Sequence, residues 1–511
     1  MTSNHNFYEL YKPLRNHLRK VCLEDALFVM WAYVQHLQFN TQIPPEIEVS
    51  RQFLSTEHRA EKGIYSWELE LITKEIIINA QEGQRCPETL REWSYFAKAI
   101  NNLKSLEDAI AKRYLNQINI LTELHRIAHR QFPWQRPFFK GQLIRSYKIF
   151  KHPEIERIVH NKTGLTVYEL YFIGYVLFSF YLKTPAIVYP IDVSIKEISR
   201  ANVEKFLCRF SRELLEIRTL MKDEQEIGEK YAYSYSSLRA FPIIKMKYRN
   251  NLSIVCPLPT LLFWRITAGL YYEILHEDNF GVHFGESYQN YVGEIIEKAN
   301  TEKKIIYIPE SEYYVGNDRK DTVDWIVRDA ESALFIECKT KRLILQAKVE
   351  LEDTNAIQGE FEKMAQFILQ IYKTIDDYRN NHYPSVKFDK NIQIYPLIVT
   401  LEDWYLFGEK LTVGLRGLVE QKIKKANLPL SYIEDMPYSI CSIEEFEDLM
   451  QIIQLHGLQS VMKGKVYDKE KMRWDFKTFL GTRFKEEMKS IDYLFEEDYK
   501  TLFEQIVRSV I

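Results

Sequence analysis

A chain of 511 residues has room for roughly three domains, and an apolar fraction of 46% with 27% charged residues is the make-up of ordinary globular protein. Basic residues (68) and acidic residues (71) almost cancel, to a net charge of −3, which excludes an overall basic coat and leaves any contact with nucleic acid to local patches. Six cysteines (Cys22, Cys86, Cys208, Cys256, Cys338 and Cys441) stand apart without a CxxC pair, a pattern expected of thiols in a reducing cytoplasm and not of a disulfide framework or zinc finger.

The amino-terminal stretch MTSNHNFYELYKPLRNHLRK has no apolar core of the secretory type. Residues 1–240 read as a mainly helical region. Leu103–Ile127 and Val203–Leu220 place apolar residues three and four apart with charge between them. Val167–Leu182 is the most apolar segment, but it is short for a bilayer span and Glu169 interrupts it, so a buried helix is expected and no membrane. His125 and His129 have the i, i+4 spacing of a helical metal pair, yet no HExxH surrounds them and no acidic third ligand is evident.

Between His125 and His152 the cations Arg126, Arg130, Arg136, Lys140, Arg145, Lys148 and Lys151 occur without any Asp or Glu. Phe132, Trp134, Phe138, Phe139, Tyr147 and Phe150 are interleaved with them. Cations with stackable rings suit a nucleic-acid backbone and its bases. The competing expectation is a basic face that docks on acidic parts of the same chain.

Residues 241–280 read as a connecting piece. FPIIKMKYRNNLSIVCPLP suggests two short strands around a turn at Asn250–Asn251, and Leu261–Leu275 returns to helix. From 281 to 440 the pattern is an ordered alternation: a helix over Glu286–Ala299, strands over Lys304–Pro309, Thr322–Val327 and Ala333–Thr340, a long helix over Asn355–Tyr378, and a strand over Ile392–Thr400. This predicts an α/β domain with one central mixed sheet flanked by helices. Residues 441–511 read as a charged helical extension.

Within that domain, Thr322–Thr340 reads as a hairpin closed by the loop Asp329–Ser332. In this register Asp324 faces Glu337, with Cβ atoms about 4.5–5.5 Å apart. Two facing carboxylates repel unless a cation compensates, and a divalent metal suits oxygen ligands. Strand alternation puts Lys339 on the face of Glu337 and turns Cys338 the other way with Leu334 and Ile336.

These residues, Asp324 followed after twelve residues by Glu337-Cys338-Lys339, resemble the core motif of the PD-(D/E)XK or restriction-endonuclease-like nuclease superfamily. The element order over about 280–400 resembles it too. The resemblance implies that Asp324 and Glu337 bind Mg²⁺ or Mn²⁺ with the Cys338 backbone carbonyl. It implies that Lys339 orients or helps deprotonate the attacking water and steadies charge at the phosphate. The residue before the aspartate, commonly proline in that family, is Val323 here. The preceding helix, Gly285-Glu-Ser-Tyr288-Gln289-Asn-Tyr-Val292, places Gln289 where the family carries an acid, and Glu286 on the same helical face is the expected substitute. Arg342, Lys341 and Lys320 border the site.

No G-x-x-x-x-G-K-[ST], G-x-S-x-G or G-x-G-x-x-G is present. The expectation is a cytoplasmic Mg²⁺-dependent endonuclease that hydrolyses phosphodiester bonds, of DNA in preference to RNA because most of that superfamily cut DNA. Its large helical half would hold a partner protein or a second copy, a layout resembling bacterial restriction and anti-phage effectors. The alternative is a non-catalytic nucleic-acid-binding or scaffold protein with a degenerate nuclease domain.

Overall fold

The computed structural model describes all residues except 1–2, 57–61, 84–85, 116–119, 137–139, 192–197, 344–347, 349–353, 385, 406–408 and 511. Phe138 and Phe139 therefore lie outside the described residues. The protein is mixed α/β and divides into two compact units. One is Met1–Ile120, Ile127–Asp278 and Lys500–Ile511; the other is Leu121–Arg126 and Asn279–Tyr499. The strands and helices over 241–278 thus belong to the first unit.

The first unit is helical around one small sheet. Its helix Ser66–Asn79 is buried on nearly every side although it carries Glu68, Glu70, Lys74 and Glu75. Buried charges persist only when partnered, and these are. Glu75 accepts hydrogen bonds from Tyr11 (2.6 Å), Gln225 (2.8 Å) and Tyr231 (3.2 Å), while Glu70 takes Arg239 (2.6 Å) and the Trp134 indole (3.0 Å). Four strands, β1 (Ala186–Val188), β2 (Ser211–Glu213), β3 (Ile243–Tyr248) and β4 (Asn251–Val255), form the sheet in the order β1-β4-β3-β2. The β3–β4 turn falls on Arg249 and Asn250, both at positive φ (47° and 68°), one residue earlier than the sequence suggests. Two left-handed residues give the turn whose twist matches the strands.

Val167–Tyr181 is a largely buried helix, started by Thr166 and Glu169 in a capping box. Among the described residues no single helix is long and apolar enough to cross a membrane. Pro153–Thr163 and Val167–Tyr181 reach that length only as a pair bent by 64°. The cysteine expectation is corrected in one place: Cys22 and Cys86 form a disulfide, with Cα atoms 5.5 Å apart. Their separation of 64 positions hides the pairing from the sequence, and the fold closes it through bridges at Val21–Glu88 and Cys22–Gln81. The other four cysteines are free.

The second unit is a sheet between two helical layers. After helix Phe280–Ala299 come β5 (Ile306–Pro309), a separate hairpin of β6 (Glu312–Val315) and β7 (Asp318–Asp321), then β8 (Trp325–Arg328) and β9 (Ser332–Lys339). Helix Thr354–Arg379 leads to β10 (Gln393–Thr400), and helix Glu409–Lys425 precedes β11 (Ser439–Ser442). The sheet order is β11-β10-β9-β8-β5. Strand β9 is antiparallel to β8 and parallel to β10, and β10 is parallel to β11.

One face, with Ala333, Phe335, Ile326, Ile394 and Ile398, packs in a core with helix Thr354–Arg379. Leu334 and Ile336 alternate to the other face, on which the Phe280–Ala299 and Leu458–Val466 helices pack. At Gly293 the first of these helices rests directly on the Trp325 ring; a Cβ there would stand 2.3 Å from it.

Candidate active site

The β8–β9 hairpin has the register expected from its sequence: Trp325–Ile336, Ile326–Phe335, Val327–Leu334 and Arg328–Ala333. Asp329 closes the loop by accepting the amides of Glu331 (2.9 Å) and Ser332 (2.8 Å) on one oxygen, an Asx turn. One step beyond Trp325–Ile336, Asp324 stands opposite Glu337. The ladder gives way there to a side-chain bond, in which the Cys338 amide donates to Asp324 Oδ2 at 2.5 Å. In an extended strand the N–H and C=O of one residue point the same way and those of the next point oppositely. The Lys339 carbonyl is taken by Leu401 N (3.1 Å) beyond β10, so the Cys338 carbonyl points toward Asp324.

Glu337 is 3% exposed, and Lys339 Nζ donates to its Oε1 at 2.6 Å. The ammonium also lies 4.9 Å over the Phe367 ring of helix Thr354–Arg379. Burial, followed by the charge of Glu337, pushes the Asp324 carboxyl up to about 7, against the opposing pull of the Cys338 amide and Lys339. Burial also raises Glu337, with Lys339 opposing. For Lys339 burial acts downward, but Glu337 and Asp324 outweigh it and hold the ammonium above its ordinary range. The Cys338 thiol is pushed well up by burial and the two acids.

Sequence reasoning missed Glu310, which follows Pro309 at the end of β5. Its amide donates to the Asp324 carbonyl (2.9 Å). Its Oε2 accepts from Gln289 Nε2 (3.0 Å), and its charge bears on both Asp324 and Glu337. The only signal was an acid just past an apolar strand. Gln289 is fixed in turn, because its carbonyl accepts the Trp325 indole (3.0 Å). Glu286 lies elsewhere: it is 53% exposed and pairs with His283 at 3.1 Å.

Five of the other flagged cations are engaged with the chain's own acids. Lys320 meets Asp377 (2.7 Å), Lys341 meets Glu360 (3.4 Å), and Arg342 meets Glu402 (3.0 Å). Lys348 and Arg342 hold Glu402 down to about 2 against the burial that opposes them. In the 125–152 stretch, Arg126 is 2% exposed and bonded to Glu123 (3.0 Å), and Arg130 meets Glu107 (2.5 Å). Arg145 is buried, and Arg136, Lys140 and Lys148 are half-buried. Trp134 and Phe150 are core residues. His125 Nδ1 lies 3.3 Å from the Tyr405 carbonyl.

Among the described residues no three His, Cys, Asp or Glu side chains form a ready metal cluster. The donor set that does converge is two facing carboxylates and a strand carbonyl, hard oxygen donors of the kind that suit Mg²⁺ or Mn²⁺. No known protein family, curated protein or solved structure matches the chain.

Proposed function

We propose that the second unit is a metal-dependent nuclease with a restriction-endonuclease-like core, hydrolysing phosphodiester bonds of nucleic acid, DNA in preference to RNA. The observation that carries this reading is the placement of Asp324 and Glu337 across one hairpin with Lys339 beside them. Burying two facing acids costs stability, and a purely structural strand gains nothing from it. The order of helix, antiparallel strands, crossover helix and parallel strand supports the same reading.

Asp324, Glu337 and the Cys338 carbonyl would hold Mg²⁺ or Mn²⁺, which when bound supplies Lewis-acid polarisation of the phosphate and a more acidic water. The chain's own part is positioning and charge. Lys339, held by Glu337 at 2.6 Å, would donate a hydrogen bond to the attacking water or to a phosphate oxygen. Its ammonium stabilises the negative charge that develops on the phosphate oxygens. Phe367 fixes the direction of that ammonium from above.

The full chain is to be incubated with Mg²⁺ or Mn²⁺ and plasmid, linear duplex, single-stranded DNA and RNA, beside Lys339→Ala and Asp324→Asn. Cleavage by the wild type that falls about 100-fold or more in both variants supports the proposal; equal products from wild type and Lys339→Ala sink it. One observation favours a second, non-catalytic reading: no three-side-chain metal cluster occurs among the described residues. In that case the acids and Lys339 are a relic, and Mn²⁺ leaves the melting temperature unchanged.

A further inference from the structure

We propose that Glu310, held in place by Gln289, is the third carboxylate turned toward the divalent cation, the part that sequence reasoning gives to Glu286. This rests on the metal-dependent reading of the same site.

Three links tie Glu310 to the acid pair. Its backbone amide donates to the Asp324 carbonyl at 2.9 Å, which extends the β5–β8 pairing past Pro309–Trp325 and fixes the two residues side by side. Its side chain has a partner on the neighbouring helix, because Gln289 Nε2 donates to Oε2 at 3.0 Å. Its charge acts on both Asp324 and Glu337. Gln289 is itself anchored through Trp325, whose indole donates to the Gln289 carbonyl and whose ring fills the space that Gly293 leaves open.

The charge balance gives the direction. Asp324, Glu337 and Glu310 face one ammonium, Lys339, which Glu337 already engages. Full ionisation leaves two negative charges uncompensated, a field that draws a divalent cation. An amide at 289 is well suited here, since it donates to Glu310 without adding a fourth negative charge. Glu310 is exposed where Asp324 is half-buried and Glu337 is buried. It can therefore turn its second oxygen to an ion arriving from solvent while the inner pair stays fixed. Glu286, paired with His283, makes none of these contacts.

The test is Mn²⁺ binding to the full chain without nucleic acid, read by electron paramagnetic resonance of free Mn²⁺ and by calorimetry. Glu310→Gln is expected to weaken the Kd at least 10-fold, Gln289→Ala about 10-fold, and Glu286→Gln less than twofold, with Asp324→Asn as the loss-of-site control. Because Glu310 is exposed, its variant should fold, and its melting curve in chelator should overlay the wild type. Glu310→Gln binding Mn²⁺ like the wild type, while Asp324→Asn abolishes binding, overturns the role of Glu310 and leaves the nuclease reading standing. A wild type that binds no Mn²⁺ overturns both.

Discussion

Asp324→Asn should stabilise the protein at alkaline pH. The unfolded chain loses the Asp324 proton near 3.8 and the folded one near 7. Between those values the folded state carries the extra proton, so stability falls as pH rises, by about 1.4 kcal/mol per pH unit. The favourable contribution is complete below about pH 4 and gone above about pH 7. From pH 5 to pH 8 the wild type should therefore lose about 3 kcal/mol from this one group. Asparagine has no proton to lose, and its Oδ1 still accepts the Cys338 amide. Glu337, raised by its own burial, leaves a residual slope in both proteins. For a unit of this size 1 kcal/mol moves the melting temperature by about 2–4 °C, so the gap between variant and wild type should widen by about 6–12 °C over that range. The assay is differential scanning calorimetry at pH 5 and pH 8 in chelating buffer. Parallel pH dependences for the two proteins would refute the claim that Asp324 is held protonated by burial and by Glu337.

Lys339→Met should act in the opposite sense. It leaves the buried Glu337 without its 2.6 Å partner and should cost about 3–5 kcal/mol at pH 8, less at pH 5 where Glu337 can take up a proton; urea titrations at the two pH values check this. Gly293→Ala puts a Cβ 2.3 Å from the Trp325 ring and should cost about 1–3 kcal/mol through overpacking. Combining it with Trp325→Leu should recover part of that loss in the same denaturation assay, and no recovery would mean the collision lies elsewhere.

Where chemistry is local, the sequence was informative. The apolar run Ala333–Ile336 and the turn-forming Asp329 determine the hairpin, because a one-residue slip would move Phe335 to the opposite face and turn Glu337 away from Asp324. The other two sheet strands expected from the sequence, β5 and β10, and both long helices follow from the same periodicities. What stayed hidden is set by distance or by charge. β6 and β7 carry Glu312, Asp318, Arg319, Lys320 and Asp321, so they show little apolar pattern even though Tyr313 reaches the core. β11 is four residues long and gains its place by pairing with β10. The basic stretch from Arg126 to Lys148 looked like a binding surface because partnering acids lie outside it: Glu123 just before it, Glu107 23 residues from Arg130, and Glu70 64 from Trp134.

The same contrast explains why the inner pair of the site could be read and the outer acid could not. Asp324 and Glu337 are joined by one turn, and strand geometry alone decides that they face each other. Glu310 reaches them only because β5 pairs with β8, and because Gln289 comes within 3.0 Å from a helix seated closely enough to contact Trp325. A shift of that helix by even one ångström would stretch the Gln289–Glu310 bond beyond hydrogen-bonding range and leave Asp324 and Glu337 where they are. The glycine at 293 is thus a positioning element for an acid 17 residues further along the chain. The site's negative field depends on helix packing as much as on the hairpin that displays the motif.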